Sequence, residues 1–274
     1  MKTLIKILVL ATFLVVSKLQ AQNFQGIATY KWYRKLDINI GGEVSSEQQK
    51  MIQEQLKKQF QREYTLKFNA YESVYKEEEK LDAPQPVSTG VQIKFVQGGD
   101  VIYKNIKEHR YTNKTDLYGK LFLIRDTLKQ RQWQLVNETK TIGEYTCYKA
   151  IFEGTYTKKT ANEEGKFVAV TKPRTTTVWY TPQIPVSNGP SDYGGLPGLI
   201  LEVSNGELTL ICSKIVINPE ETVEITEPKK GKQVSQLGFD DIKKKKTEEM
   251  MEQFRSSSRG RRDDGNRVMI RVGG

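Results

Sequence analysis

Side chains suited to metal, nucleophilic or acid–base chemistry are scarce in this sequence, carboxylates excepted. It has one histidine, His109, and two cysteines, Cys147 and Cys212, in 274 residues. One imidazole and two thiols exclude the usual zinc hydrolase sites, a four-cysteine zinc site and an iron–sulfur cluster. His109 stands in the charged run Lys-Glu-His-Arg, which favours an exposed strand or turn over a catalytic base. We therefore predict no metal, no cofactor and no catalytic histidine.

Sequence motifs for a serine nucleophile or for phosphate binding are also missing. The sequence has no Gly-x-Ser-x-Gly elbow and no glycine loop that ends in Lys-Ser or Lys-Thr. A glycosidase needs only two acidic side chains in a cleft, and sequence spacing does not reveal such a pair. Asp126, Glu138 and Asp192 are candidates among 33 acidic residues. An enzyme that works through carboxylates therefore stays open.

A glycine-rich loop leads into an apolar run. Its glycines permit backbone angles and close approaches that other residues cannot adopt, and its proline stiffens the turn. The favoured interpretation is a tight loop that delivers a buried strand into the core. The motif residues are Gly195, Leu196, Pro197, Gly198, Leu199 and Ile200.

Aromatic residues and a carboxylate stand beside this loop in sequence. Aromatic faces and a carboxyl group at a glycine loop are able to hold a sugar, a peptide or another small ligand. Because aromatic residues in strands more often belong to the core, ligand binding is the less favoured alternative. The candidate ligand-binding residues are Trp179, Tyr180, Asp192 and Tyr193.

The two cysteines fall in predicted strands, and the sequence leaves two alternatives open for them. A disulfide between Cys147 and Cys212 suits an exported protein. Two buried free thiols are equally favoured, because neighbouring strands need not place the two Cα atoms within bridging range.

The elements that must position these residues are mostly short strands. Runs rich in β-branched and aromatic residues recur between polar turns. A parallel sheet would require a helix or another long crossover between successive strands, and the sequence predicts none between most of these runs. They predict an antiparallel sheet that curves into a sandwich or partial barrel, with a tight hairpin turn at Ser204-Asn205-Gly206. The predicted strand runs are Ile27 to Tyr33, Tyr64 to Phe68, Val91 to Val96, Val101 to Ile106, Lys120 to Ile124, Trp133 to Val136, Tyr145 to Phe152, Phe167 to Thr171, Thr175 to Tyr180, Leu199 to Val203 and Leu208 to Ile217.

Two segments are predicted to be helical. Ser45 to Phe60 has apolar residues at intervals of four and the spacing of a capping box, which predicts an amphipathic helix over one face of the sheet. Phe239 to Phe254 is the second, and its four consecutive lysines, Lys243 to Lys246, indicate a solvated face rather than a partner site.

The two ends of the chain have their own composition. Residues 1–21 have a charged start, a short apolar run and a small residue, Ala21, before a polar stretch, which predicts a signal peptide and a periplasmic or secreted protein. The apolar run is too short to span a membrane. Residues 255–274 are rich in arginine, serine and glycine, which predicts a disordered tail able to touch anionic surfaces. The remaining units are a β-rich domain over residues 22–237 and a basic helix over residues 238–254.

The formal net charge of +10 is shared among these parts. Lysines of the N-terminal segment and arginines of the tail account for most of it, so the body has little excess of positive charge. An exported protein also does not meet cytoplasmic nucleic acid. We therefore predict no nucleic-acid partner.

The string Gly-Leu-Pro-Gly-Leu-Ile at residues 195–200 is the one that names the GLPGLI family of exported Gram-negative proteins. Flanking blocks are similar to that family in the same order: Trp133, residues 138–150, and Val178 through Pro185. The resemblance implies a secreted, β-rich fold. Together with the two predicted helices, this gives a mainly β half-barrel or bowl with one covering helix and a C-terminal helix. The family resembles the bowl-shaped N-terminal domain of a bacterial peptide N-glycosidase, in which the catalytic portion is a separate domain. It implies no catalytic residue for this chain.

These observations support two main hypotheses and a minor one. The first is a non-enzymatic binding or accessory module of the cell envelope, with a small ligand or an envelope protein as its partner. The second is an envelope hydrolase directed at glycans, with a carboxylate pair in the bowl. The third is a structural adaptor that acts through the basic helix and tail.

Overall fold

The structure, a computed structural model, describes residues 24–34, 38–40, 62–78, 99–161, 167–259 and 270–272. These residues form an open, curved sheet that does not close into a barrel, together with one helix. The predicted mainly β fold with a curved antiparallel sheet is therefore confirmed. The described strands are β1 (Gln25–Arg34), β2 (Ile38–Ile40), β3 (Arg62–Asn69), β4 (Glu72–Glu77), β5 (Val101–Asn105), β6 (Arg110–Leu117), β7 (Lys120–Thr127), β8 (Gln134–Ile142), β9 (Tyr145–Ala161), β10 (Phe167–Thr181), β11 (Leu199–Ser204), β12 (Leu208–Ile217), β13 (Lys232–Val234) and β14 (Ile270–Val272).

Twelve of these strands form one sheet in the order β13-β7-β6-β5-β4-β3-β1-β12-β11-β10-β9-β8. Its strand pairs are antiparallel except for β13 with β7. The first strand, β1, lies in the middle and pairs with β3 on one side and β12 on the other. It thus joins a first half (β3 to β7 and β13) to a second half (β8 to β12). β2 and β14 form a separate antiparallel pair.

The predicted hairpin between β11 and β12 is present. Gly206 takes the positive φ of the Asn-Gly pair, at 87°. Asn205 closes the turn, because its amide donates to the carbonyl of Leu208 at 3.1 Å and its side-chain oxygen accepts from the amide of Leu208 at 2.9 Å.

Three strands of the first half, β4, β6 and β13, have no counterpart among the predicted runs. The sequence of β6, RYTNKTDL, is polar, and this strand buries only Thr112 and Thr115. Pairing with both neighbours, rather than an apolar face, holds β6 in the sheet. The two predicted runs from Phe167 to Tyr180 are parts of one strand, β10, and the run from Val91 to Val96 lies outside the described residues.

The one helix of the described residues, α1 (Gln236–Arg259), is longer than predicted at both ends. Its first turns pack Phe239 against Phe122 of β7, with ring centroids 5.4 Å apart. The predicted helix at residues 45–60 and the predicted signal peptide at residues 1–21 lie outside the described residues.

The C-terminal segment differs from the predicted disordered tail in two places. Residues 255–259 continue α1, and residues 270–272 form β14, which pairs with β2. The predicted boundary between the basic helix and the tail, at residue 254, therefore lies within α1. Composition alone did not show this, because arginine and serine are tolerated in a helix.

Between β10 and β11 the chain makes a long irregular excursion, residues 182–198, which we call the motif loop. Its apolar residues enter two buried clusters. Ile184 and Val186 pack with Leu199 and Leu201 in one, whereas Leu196 packs in the other. The motif loop is therefore part of the core, although it has no regular secondary structure.

Candidate functional site

A cleft opens between the tip of the motif loop and the sheet. Its first lobe has a volume of about 220 Å³, and a second lobe of about 210 Å³ adjoins it. Both lobes share four wall residues, Asp100, Ile102, Ser191 and Asp192, so they belong to one cleft. The other residues of the first lobe are Trp32, Arg62, Tyr64, Tyr75, Glu77, Tyr193, Leu208 and Leu210. The other residues of the second lobe are Tyr111, Asn113, Leu128, Lys129 and Gln236.

The four candidate ligand-binding residues do not share this cleft. Asp192 and Tyr193 line it, whereas Trp179 and Tyr180 do not. Tyr180 is buried in the cluster against which Tyr193 packs. Trp179 packs against the other cluster and lies under the ammonium group of Lys140, 4.5 Å from the ring centroid. The aromatic residues nearest the motif in sequence are thus divided between cleft and core.

The motif itself is placed as a tight, buried connection. Gly195 has a φ of 85°, and a Cβ atom at Gly198 would lie 2.2 Å from the carbonyl oxygen of Thr181. Leu196 is buried, Pro197 is exposed, and Leu199 and Ile200 are fully buried at the start of β11. This placement supports the interpretation of a loop that delivers a strand into the core.

Side chains from the segment between β7 and β8 hold the tip of the motif loop. Arg131 donates to the carbonyl and the carboxylate of Asp192, at 2.8 and 2.5 Å, and its guanidinium lies 4.5 Å from the ring centroid of Tyr193. The indole of Trp133 donates to the carbonyl of Gly194 at 2.9 Å. Arg131 and Trp133 thus fix the loop that forms one wall of the cleft.

A buried lysine of β5 holds the same loop from the other side. Lys104 Nζ donates to the carbonyl oxygens of Gly189, at 2.7 Å, and Tyr193, at 3.0 Å. Burial lowers the pKa of Lys104 to about 7, opposed by the negative charge of Asp192. Sequence analysis missed Lys104 and Arg131, since nothing in their local sequence indicates contact with a loop 60 to 90 residues away.

The cleft contains three carboxyl groups with different environments. Glu77 is paired with Arg62 at 3.2 Å, and Asp192 with Arg131 at 2.5 Å. Asp100 has no salt bridge within the described part of the chain, and burial raises its pKa above the usual value, although hydrogen bonds from Thr115 and Asn113 and the charge of Lys243 oppose the shift. Asp100 is therefore the carboxyl group of the cleft that is not held in a salt bridge among the described residues.

The other residues with candidate chemistry have structural positions. Asp126 accepts the amide hydrogen of Gln236 at the start of α1, at 3.0 Å, and Glu138 pairs with Lys149 at 2.9 Å. His109 is exposed in the turn between β5 and β6, with a φ of 53°. Among the described residues, no group of three histidine, cysteine or acidic side chains is arranged to hold a metal ion.

The structure contains Cys147 and Cys212 as buried free thiols of one cluster. Their strands, β9 and β12, are separated in the sheet by β10 and β11. The structure holds both thiols unbridged, and the choice between a disulfide and two free thiols stays a prediction.

Within the described residues, no helix has the length and hydropathy needed to cross a membrane.

Comparisons with known proteins give a family of unknown function and a structural likeness. The family model Porph_ging, described as a protein of unknown function, matches residues 133–202, which include the motif. The assignment to the GLPGLI family by name stays a prediction. No curated protein matches the sequence.

Two crystal structures of PNGF-II resemble the fold. The one in space group C2 is 16% identical over 80% of this chain and 32% of the PNGF-II chain, with a TM-score of 0.47. The one in space group P21 is 16% identical over 80% and 33%, with a TM-score of 0.45. This chain thus spans about a third of the length of PNGF-II.

Proposed function

We propose that the protein is an exported, non-enzymatic binding module that holds a small polar ligand in the cleft between the motif loop and the sheet. The observation that carries this proposal is the combination, in one cavity, of aromatic rings with the carboxyl group of Asp100, which forms no salt bridge among the described residues. Trp32, Tyr64 and Tyr193 line the first lobe and give it aromatic surface for the apolar side of a sugar or similar molecule. Asp100 offers a hydrogen-bonding group that fixes its orientation.

The size of the cleft limits the ligand. Each lobe, of about 220 or 210 Å³, is smaller than the roughly 300–1,000 Å³ of sites for drug-sized molecules, and the two together lie at the low end of that range. We therefore propose a small ligand, with a unit the size of a single sugar or amino acid in each lobe, alone or at the end of a longer chain.

Export is part of the proposal and rests on residues 1–21. Their basic start, apolar centre and small residue before a polar stretch have the form of a signal peptide. The setting of the ligand is then the periplasm or the exterior, and an envelope protein is the second kind of partner.

The experiment compares what co-purifies with three proteins produced in the native host. Untargeted mass spectrometry identifies small molecules retained by the wild type, by Asp100→Asn and by Asp241→Asn. Asp100→Asn keeps the shape of the side chain and removes its charge, whereas Asp241 is exposed on α1, outside the cleft. We expect one compound that the wild type and Asp241→Asn retain at least tenfold more than Asp100→Asn. If the wild type and Asp100→Asn retain the same compounds, or none, the proposal is wrong.

Asp100 also supports a second candidate, a glycan-directed hydrolase. A carboxyl group whose pKa is raised by burial, in a cleft with further carboxylates, has the properties of a general acid. Glu77 or Asp192 would then be the second carboxylate. Nothing about their geometry favours hydrolysis over binding, so the binding module stays first.

A panel of aryl glycosides tests the hydrolase. If Asp100 is a general acid, the rate must fall as pH rises through the raised pKa of Asp100, because the protonated carboxyl group is the active form. Asp100→Asn should abolish hydrolysis and Asp241→Asn should retain it. Absence of hydrolysis across the panel, or equal rates for Asp100→Asn and wild type, rejects this candidate.

A further inference from the structure

Lys104 is a buried, titratable group that the proposed function does not use. It is 2% exposed, and both of its hydrogen-bond acceptors, the carbonyls of Gly189 and Tyr193, belong to the motif loop. Ser191 and Asp192, which line both lobes of the cleft, lie between these two residues in the chain. One amine of β5 therefore ties down both ends of the segment that forms the cleft wall.

We propose that Lys104 is a positioning residue that latches the motif loop onto the sheet, and that protonation of its amine loosens the loop and opens the cleft. The proposal deepens the proposed function, on which it rests for the role of the cleft. The latch itself can be measured without any ligand.

Burial at Lys104 favours a neutral amine in the closed loop. The amine is 2% exposed and meets two uncharged carbonyl acceptors, at 2.7 and 3.0 Å, and it forms no salt bridge with a carboxylate among the described residues. An ammonium group has a third hydrogen and a charge, and both would be buried. The closed loop therefore holds the neutral form best, whereas a lifted loop exposes the amine to water and favours the charged form.

The charged and titratable neighbours of Lys104 do not offset this preference. On the sheet, Lys104 pairs across strands with Ser73 of β4 and Tyr111 of β6. Burial raises the pKa of Tyr111 to about 12, so its hydroxyl group is uncharged at neutral pH. From the loop and its anchor, Asp192 favours the ammonium form and Arg131 opposes it.

Tyr193 is the remaining titratable neighbour, and burial raises the pKa of its hydroxyl group. It is therefore uncharged at neutral pH and provides no negative partner for an ammonium group. The carboxylate of Asp192 is the negative neighbour of Lys104, and Arg131 already binds that carboxylate at 2.5 Å.

Hydrogen bonding beneath the loop is also incomplete. Ser73 Oγ and Asn188 Nδ2 are buried and have no hydrogen-bond partner in the described part of the chain. Unpaired buried polar groups cost free energy that is recovered when water reaches them. Lys104 provides two of the polar contacts that hold the closed loop, beside those of Arg131 and Trp133.

The direction of the pH effect follows from the two states of the loop. The pKa of Lys104 is about 7 in the closed loop and near its ordinary value of 10.5 when the loop is lifted. Between these values closing releases one proton, so the closed population gains about tenfold per pH unit as pH rises. Below about pH 7 the amine is protonated in both states, and the equilibrium no longer depends on its titration.

Hydrogen exchange of the full-length protein, read by mass spectrometry from pH 6 to 10 and corrected for intrinsic exchange rates, tests the latch. In the wild type, we expect protection of a peptide spanning residues 182–198 to be flat below pH 7. It should rise by up to tenfold per unit above pH 7, relative to a peptide from β6. A wild-type profile without this rise overturns the proposal.

Three variants separate titration from packing. Lys104→Met fills the same space without a titratable group and should give a profile without the rise. Lys104→Arg keeps its charge at every pH and should leave the loop poorly protected throughout. Lys76→Met, at an exposed lysine of the neighbouring strand β4, should retain the wild-type profile. A rise in Lys104→Met equal to that of the wild type also overturns the proposal, and if that variant does not fold, the wild-type and Lys104→Arg profiles decide.

The hydrogen-exchange experiment tests the latch, and the co-purification experiment tests the proposed function, so either proposal can fail without the other. A pH-dependent loop in a protein that retains no compound would refute the proposed function and leave the latch standing. A retained compound with a loop that does not respond to pH would do the reverse.

Discussion

Gly198 is the residue of the motif at which a side chain is least tolerated. A Cβ atom there would lie 2.2 Å from the oxygen and 2.5 Å from the carbon of the Thr181 carbonyl, which are backbone atoms at the end of β10. Because a strand end cannot move aside like a flexible side chain, we expect Gly198→Ala to lower the free energy of unfolding by about 3 kcal/mol. Urea unfolding followed by far-UV circular dichroism measures this loss.

Gly206→Ala is the matched control. Gly206 has a φ of 87°, yet no atom lies within 4 Å of the Cβ position, so the cost is backbone strain of about 1 kcal/mol. Equal losses for the two variants would mean that the close approach at Gly198 relaxes easily.

The two cysteines give a second prediction at the residue scale. Burial raises the pKa of Cys147 to about 11 and that of Cys212 to about 12, so neither thiol ionises near neutral pH. We expect iodoacetamide to leave the native protein unmodified and to add two adducts after denaturation without reductant, as intact mass shows. Unfolded protein that takes up no adduct until a reductant is added would establish the disulfide instead.

Sequence proximity predicted part of the candidate site. Asp192 and Tyr193 line the cleft because they belong to the motif loop. Trp179 lies in β10, where side chains alternate between the two faces of the sheet and a bulge falls between Trp179 and Tyr180. Its side chain therefore packs against another cluster. Asp100 and Lys104 could not be predicted, because their roles depend on which strand the loop crosses.

At the scale of elements, the start of α1 depends on a residue of another strand. Ser235 Oγ accepts the amide hydrogen of Gly238, and Asp126 of β7 accepts that of Gln236. Helix starts leave such amides unpaired, so an acceptor there stabilises the helix. We expect Asp126→Ala to lower the free energy of unfolding by about 1 kcal/mol at pH 7, as measured by urea unfolding.

The pH dependence of that loss identifies the carboxylate as its cause. Hydrogen bonds from the amides of Gln236 and Thr127 lower the pKa of Asp126. Its contribution is therefore complete above the ordinary aspartate pKa of about 4 and is lost as pH falls through the lowered value. Asp126→Asn, which keeps an acceptor oxygen without the charge, should lose less than Asp126→Ala. A loss that is the same at pH 7 and at pH 2.5 would contradict this account.

Most strands with an apolar face could be predicted from the sequence, and the polar ones could not. β1, β7, β11 and β12 have β-branched and aromatic runs between turn residues. β6 has no such run, because it is held by its neighbours on both sides and buries threonines. The motif loop is buried without any periodicity, so its position depends on contacts that sequence spacing does not contain.

At the scale of the whole molecule, the two halves of the sheet depend on contacts between distant parts of the chain. β1 pairs with β12, about 190 residues away, and Tyr30 of β1 donates its hydroxyl hydrogen to the buried carbonyl of Ile200 at 2.7 Å. Lys104 of the first half holds the motif loop of the second. These links predict that the two halves of the sheet unfold together, because each half loses strand pairing and side-chain contacts when the other unfolds.

The three tryptophans allow this cooperativity to be measured. Trp133 and Trp179 lie at or in the second half, and Trp32 lies on β1 beside β3, so tryptophan fluorescence reports mainly on the second half and on β1. Far-UV circular dichroism reports on strands of both. We expect the two signals to give the same urea midpoint in the wild type. In Tyr30→Phe the two midpoints should fall together, and the free energy of unfolding should fall by about 1–3 kcal/mol, because the Ile200 carbonyl loses a buried partner. Circular dichroism that persists after the fluorescence transition is complete would show that the first half is stable without the second, and that β1 does not couple them.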